Sequence, residues 1–186
     1  QQLDEGRRGR AGLKNAHAAI VQRELEDVLD VDLRAVRQQP DLEAQAAGLP
    51  VVAFDSGVDS DIPVTTVTTN NIAAAALAAD KMAELIGGKG KVALVVHDQT
   101  SRTGIDRRDG FVNQVGAKYP DIEIVDIQYG GGDQLMSTEI AKAILAANPD
   151  LKGFFGANEG SAIGVVNAIK ETGTQGVIVI GYDSGA

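Results

Sequence analysis

Short β-branched runs alternate with longer stretches of helical period from Leu49 onward, and this alternation leaves the chain few folds to choose from. The runs are VVAF at 51–54, KVALVV at 91–96, IEIVDIQ at 122–128, GFFG at 153–156 and VIVIG at 177–181. Between them Ile72, Ala75, Ala79, Met82 and Ile86 recur at helical spacing, as do Ile105, Arg108, Val112 and Val115, and later Ile163, Val166 and Ile169. Strand–helix repetition of this kind demands right-handed crossovers and a parallel sheet with helices on both faces, so the expected class is α/β, doubly wound. Turn signals fall between the elements, at Gly87-Gly88-Lys89-Gly90, Tyr119-Pro120-Asp121, Asn148-Pro149-Asp150 and Thr172-Gly173.

Composition narrows the chemistry. A length of 186 residues suits one large domain or parts of two smaller ones. A formal net charge of −9 argues against a nucleic-acid partner, because phosphate binding relies on clustered Lys and Arg. Cysteine is absent, which excludes disulfides, thiolate nucleophiles and Cys-ligated metals together. The two histidines, His17 and His97, stand too far apart in sequence to suggest a metal site, and His97 reads as a strand-end residue. No Gly-x-Ser-x-Gly elbow is present, so a serine triad has no foundation. Gly87-Gly88-Lys89-Gly90-Lys91 precedes a strand and lacks the Gly-Lys-Ser/Thr ending of a phosphate loop. Gly130-Gly131-Gly132 opens a helix without the later glycine that a dinucleotide site needs. Neither a catalytic residue, a metal nor a cofactor is expected. No apolar run approaches the roughly 20 residues that span a bilayer, so direct membrane insertion is not expected. The opening QQLDEG carries neither an initiator Met nor the apolar stretch of a signal peptide, and a truncated, soluble chain is the expectation.

The first forty residues differ from the rest. Six of the nine arginines (Arg7, Arg8, Arg10, Arg23, Arg34 and Arg37) lie there with one lysine, whereas three arginines and seven lysines follow. Residues 1–40 are therefore left unassigned, as either a charged helix around 18–37 or a stretch of foreign or frameshifted origin.

In open parallel sheets ligands bind beyond the carboxyl ends of the strands. Here those positions are polar: Asp55-Ser56, His97-Asp98-Gln99-Thr100-Ser101, Gln128-Tyr129, Asn158-Glu159 and Asp183-Ser184. Carboxylates and amides converging on one rim suit a polyhydroxylated ligand, since a carboxylate accepts from two neighbouring hydroxyls and an amide both donates and accepts. The competing explanation is local, because Asp, Asn and Ser also favour loops and helix N-caps.

The blocks AFDSGVDSD at 53–61, TSRTGIDRRDGF at 100–111, NPDLKGFFGANEGSAIG at 148–164 and VIVIGYDSG at 177–185 resemble, in order and spacing, the type I periplasmic sugar-binding proteins of bacterial ABC importers. The resemblance runs from about Asp41 to Ala186. It implies two Rossmann-like lobes joined by a hinge, incomplete in this chain: residues 41–70 would end the first lobe and cross the hinge near Thr69-Asn70-Asn71, and residues 71–186 would supply part of the second. It also implies a periplasmic or extracytoplasmic location, an importer permease as partner, and a monosaccharide or related polyol as ligand. Carried over residue by residue, it assigns ligand contacts to Asp55 and its neighbour Ser56, to Arg107, Asn158 and Asp183, and to Tyr182 as an aromatic against the sugar ring. For Arg107 the rival is a surface pair with Asp106 or Asp109, and for Tyr182 it is core packing. Ser56 stands where ribose-type members carry Arg, and Gly132 where many carry an aromatic, so a plain ribose pocket is not implied.

Two other functions fit the same fold. One is the sugar-sensing effector domain of a lac-repressor-type regulator, although residues 1–40 show no readable helix-turn-helix. The other is a sugar hydrolase or isomerase with Asp55 and Asp183 as paired carboxylates.

Overall fold

The computed structural model describes residues 40–58 and 60–183; the expectations for residues 1–39, with His17, and for Ser184 lie outside them. The described residues form two compact units, one of residues 40–52 and 60–65, the other of 53–58 and 66–183. In the first, helix α1 (Pro40–Ala46) begins on a proline, whose fixed φ and missing N–H suit a first helical turn. It is closed by Leu49 N–H donating to the Ala44 carbonyl, at 2.9 Å.

Two short strands follow in sequence, β1 (Val52–Phe54) and β2 (Thr65–Val67), and make a two-stranded sheet of their own. The VVAF run thus forms a strand as expected, while Thr65–Val67, lying among polar threonines, gave no apolar signal.

The second unit continues with α2 (Asn71–Ile86), β3 (Gly90–Val96), α3 (Arg102–Lys118), β4 (Ile122–Tyr129), α4 (Gln134–Ala147), β5 (Leu151–Gly156), α5 (Glu159–Thr172) and β6 (Ile178–Gly181). The last four strands lie in the order β4-β3-β5-β6, and every pairing is parallel. Strand β3 sits inside the sheet, and Val92, Ala93, Leu94, Val95 and Val96 are all fully buried. Its uninterrupted apolar run follows from having helices on both faces. Alternation of side chains splits the core accordingly. Val92, Leu94 and Val96 pack with Ala75, Ala79, Met82, Phe111 and Val115, from α2 and α3. Ala93 and Val95 pack with Ala141, Ile144, Val165 and Ala168, from α4 and α5. The doubly wound reading therefore holds.

Two helices are rotated relative to the face their apolar residues suggested. In α3 the buried residues include Arg107, Phe111 and Val115, while Ile105, Arg108 and Val112 are half-buried. Phe111 takes the inner face by stacking on Phe155, with ring centroids 4.6 Å apart and planes 9° from parallel. In α5 the innermost residues are Gly160, Ser161, Gly164, Val165 and Ala168, not Ile163, Val166 and Ile169. Close helix approach explains this: a Cβ on Gly164 would stand 2.5 Å from Cβ of Ser137 on α4. Small residues win the contact face because they admit the neighbour's backbone, an effect that hydrophobic spacing does not register.

Candidate functional site

The chain leaves β3 for β4 on one side, then crosses back to β5 on the other. The sheet's order thus reverses between β3 and β5, and that is where a crevice opens beyond the strand ends. His97 and Asp98 follow β3, Asn158 follows β5, and Asp183 follows β6. These four, with Asp55, Ser56, Ser101, Thr103 and Arg107, line one open cleft of about 250 Å³. Of the six residues anticipated from the sequence, Asp55, Ser56, Arg107, Asn158 and Asp183 come together there. Gln128 and Tyr129 do not, because β4 lies one strand away from the reversal, at the sheet edge.

Arg107 organises the cleft. It is buried, at 6% exposure. Its Nε donates to Oδ1 of Asn71 at 2.9 Å, and its Nη1 donates to the Ala157 carbonyl at 2.9 Å and lies 3.6 Å from Oδ2 of Asp183. The surface pairs foreseen as a rival belong to its neighbours: Arg102 pairs with Asp106 at 3.0 Å and Arg108 with Asp109 at 2.6 Å. A guanidinium fixed at two donors presents its charge in one orientation, which a lysine ammonium cannot reproduce.

Tyr182, the sixth anticipated residue, stands apart from the other five. It does not line the cleft; the guanidinium carbon of Arg107 lies 3.8 Å from its ring centroid, and its hydroxyl donates to Oδ1 of Asn71 at 3.0 Å. One ring face is thereby taken by a cation, an attraction between the ring's quadrupole and the charge. Burial, the larger influence, raises the phenol's pKa against the lowering effect of Arg107. Tyr182 is a support for Arg107. Asn71, which the sequence offered only as a hinge residue, is the common acceptor for both, and is 3% exposed.

Two of the cleft's three carboxylates, Asp55 and Asp183, stand on strained backbone. Asp55 has φ of 60° and Asp183 of 68°, and they alone among the described non-glycine residues have positive φ. Aspartate tolerates this left-handed region better than most side chains, yet it still costs of order 1–3 kcal/mol. Asp55 is anchored by its N–H donating to the Val67 carbonyl at 2.9 Å, and Asp183 by accepting from the Glu159 N–H at 3.3 Å, at the start of α5.

Asn158 both caps a helix and faces the cleft. It is the N-cap of α5, with Oδ1 accepting from the Ser161 N–H at 3.0 Å. Its amide nitrogen makes no hydrogen bond to a described residue, and Asn158 lines the cleft.

The β3–α3 loop forms the remaining wall. Oδ1 of Asp98 accepts from the Thr100 N–H at 2.8 Å and the Ser101 N–H at 2.5 Å. Partial burial opposes ionisation of this carboxyl, but the backbone and hydroxyl of Ser101, the Thr100 N–H and nearby His97 together outweigh it and hold the pKa at about 2. Ser101 caps α3 by accepting from the Gly104 N–H at 3.1 Å. Gly104 must be glycine, since a Cβ there would come within 2.6 Å of the Asp98 carbonyl oxygen. Nε2 of His97 lies 3.2 Å from the hydroxyls of both Ser101 and Thr103, and Thr103 in turn meets Ser56 at 3.0 Å. Nδ1 of His97 is buried without a partner, and burial, reinforced by Arg107, keeps the ring's pKa below its ordinary value. Thr103 was missed in the sequence; its place four residues before Arg107, on the same helix face, is the signal that could have found it.

The cleft is lined by carboxylates at Asp55, Asp98 and Asp183, a guanidinium, an imidazole, an amide and three hydroxyls. Among the described residues no group of His, Asp and Glu is arranged to hold a metal, and no helix is long and apolar enough to cross a membrane.

The doubly wound parallel sheet gathers these groups at its reversal point, an α/β architecture with a polar cleft beyond its strand ends. The chain belongs to the periplasmic binding protein domain family, whose model matches residues 39–186. It is similar to the D-apiose import binding protein of Actinobacillus succinogenes, 31% identical over 142 residues that make up 76% of this chain and 46% of that protein. Among solved structures it is similar to AraP, an arabinose binding protein from Geobacillus stearothermophilus, with a TM-score of 0.70, 33% identity, and coverage of 76% of this chain and 48% of that one. It is also similar to a periplasmic solute binding protein of an ABC transporter from Actinobacillus succinogenes with bound D-allose, with a TM-score of 0.71, 33% identity, and coverage of 77% and 53%. The chain spans about half the length of the curated relatives it matches. These relatives are substrate-binding transport proteins and not enzymes, and they lend no support to the regulator reading.

Proposed function

We propose that this chain is part of the substrate-binding component of a bacterial ABC importer, and that it holds a monosaccharide or related polyol in the cleft around Arg107. The observation that carries the reading is the gathering of carboxylates and a fixed guanidinium in one open cleft at the sheet's reversal point. Each sugar hydroxyl can donate to Asp55 or Asp183 while accepting from Arg107 or the Asn158 amide, so both halves of its hydrogen-bonding capacity are met. In this reading residues 41–70 close the first lobe and cross the hinge, residues 71–186 belong to the second, and Asp55 and Ser56 reach the ligand from the first-lobe side. The same reading assigns an extracytoplasmic location and a permease as partner, both drawn from the relatives' role in import.

A thermal-shift screen tests it. A ligand that binds only the native state raises the melting temperature, and the rise grows with the logarithm of ligand concentration over its Kd. At least one neutral aldose or polyol is expected to stabilise the protein, and amino acids and nucleotides are expected not to. Stabilisation by one of the latter, with every sugar silent, would overturn the proposal.

A further inference from the structure

Ser56 and Ser101 each line two cavities. On one side lies the polar cleft, and on the other a second cavity of about 410 Å³ that reaches Gly57, Val58, Arg102 and Ile105. The lining that the two share is two small hydroxyl residues, and both are held in bonds of their own. Ser56 meets Thr103 at 3.0 Å, and Ser101 caps α3 through the Gly104 N–H. The two spaces differ in chemistry. The cleft carries carboxylates, a guanidinium and an imidazole, whereas the second cavity offers the aliphatic side chains of Val58 and Ile105. Among the described residues that line it the one charged group, Arg102, already pairs with Asp106 at 3.0 Å.

We propose that the two cavities act as one elongated site: the cleft takes a sugar ring, and the second cavity takes an uncharged, partly apolar substituent on it, so that the preferred ligands are small glycosides. The inference rests on the reading of the cleft as a sugar site. A substituent passing over Ser56 and Ser101 leaves the donors and acceptors around Arg107 to the ring. Beyond the serines it exchanges water for contact with Val58 and Ile105, an exchange that favours apolar groups and leaves a charged group without a free partner.

Titration calorimetry of the chain tests this with D-allose, D-arabinose and D-apiose, the methyl and phenyl glycosides of each in both anomers, and the corresponding sugar phosphates. At least one phenyl glycoside is expected to bind about tenfold more tightly than its free sugar, the gain expected from burying an aromatic group. Val58→Trp, at an exposed position, and independently Ile105→Trp, are expected to fill the second cavity. Each should return the glycoside to the free sugar's affinity while leaving the free sugar unchanged. Free sugars that bind while no glycoside binds more tightly overturn the elongated site and leave the sugar cleft standing. A gain that survives both tryptophan variants, or sugar phosphates that outbind the glycosides, also overturns it. Silence from free sugars and glycosides alike overturns the cleft reading as well.

Discussion

The side-chain oxygen of Asn71 lies 2.9 Å from Nε of Arg107, and the Tyr182 hydroxyl shares the same acceptor at 3.0 Å. One carboxamide at the start of α2 thus fixes both the cation of the cleft and the aromatic ring beneath it. Asn71→Leu, of similar volume, leaves two donors without a partner, and a buried unsatisfied group costs about 1–3 kcal/mol. Urea unfolding should show the midpoint falling by the equivalent of about 2 kcal/mol or more, with the slope unchanged. A loss below about 0.5 kcal/mol would mean that water or another acceptor replaces Asn71.

Arg107 and Arg102, five residues apart on α3, are expected to respond oppositely to the same change. Arg107→Lys removes the Nε bond and the planar stack on Tyr182, so ligand affinity should fall at least about tenfold, the equivalent of one charged hydrogen bond. Arg102→Lys alters an exposed pair of the kind that contributes about 0–1 kcal/mol, and should be nearly silent for sugar binding. Calorimetry on the two variants separates them. Equal affinities would place Arg107 outside the site.

Acid sensitivity should come from the β3–α3 loop. The native pKa of Asp98, about 2, lies below its unfolded value of 3.8, so the stability it contributes is present above the unfolded value and lost as pH falls through the native one. Asp98→Asn should therefore flatten the loss of stability between about pH 4 and 2. His97 acts at higher pH. Its native pKa is depressed by burial, so below about 6.5 the unfolded chain takes up a proton that the native imidazole refuses, and stability declines until the native value is reached. His97→Gln should remove that shallower decline. Denaturation midpoints measured across the range check both, and unchanged profiles would contradict the proton bookkeeping.

The sheet was legible because β3 and β5 are buried on two faces, so their runs of Val and Phe stand out at any register. Asp55, Asn158 and Asp183 were legible because each ends a strand, where the fold itself brings side chains together. The orientation of α5 was not, since glycine and serine, not its isoleucines, make the closest contacts. Asn71 and Tyr182 show the remaining limit. They are 111 residues apart, and nothing local to either announces that they meet on Arg107. The second strand escaped for a plainer reason: all three residues of Thr65–Val67 are exposed and leave no apolar pattern.

The most direct test of the proposed sugar cleft is a titration of the isotope-labelled chain with D-allose, D-arabinose and D-apiose, followed by amide NMR shifts, which detect even millimolar binding. At least one sugar should give saturable shifts concentrated at Asp55, His97 to Thr103, Arg107, Asn158, Glu159 and Asp183. Asp183→Asn, which keeps a side chain tolerant of positive φ but removes the charge, should weaken that binding at least about tenfold. Saturable shifts that cluster elsewhere, or an Asp183→Asn variant that binds as tightly as the original, would contradict the site described.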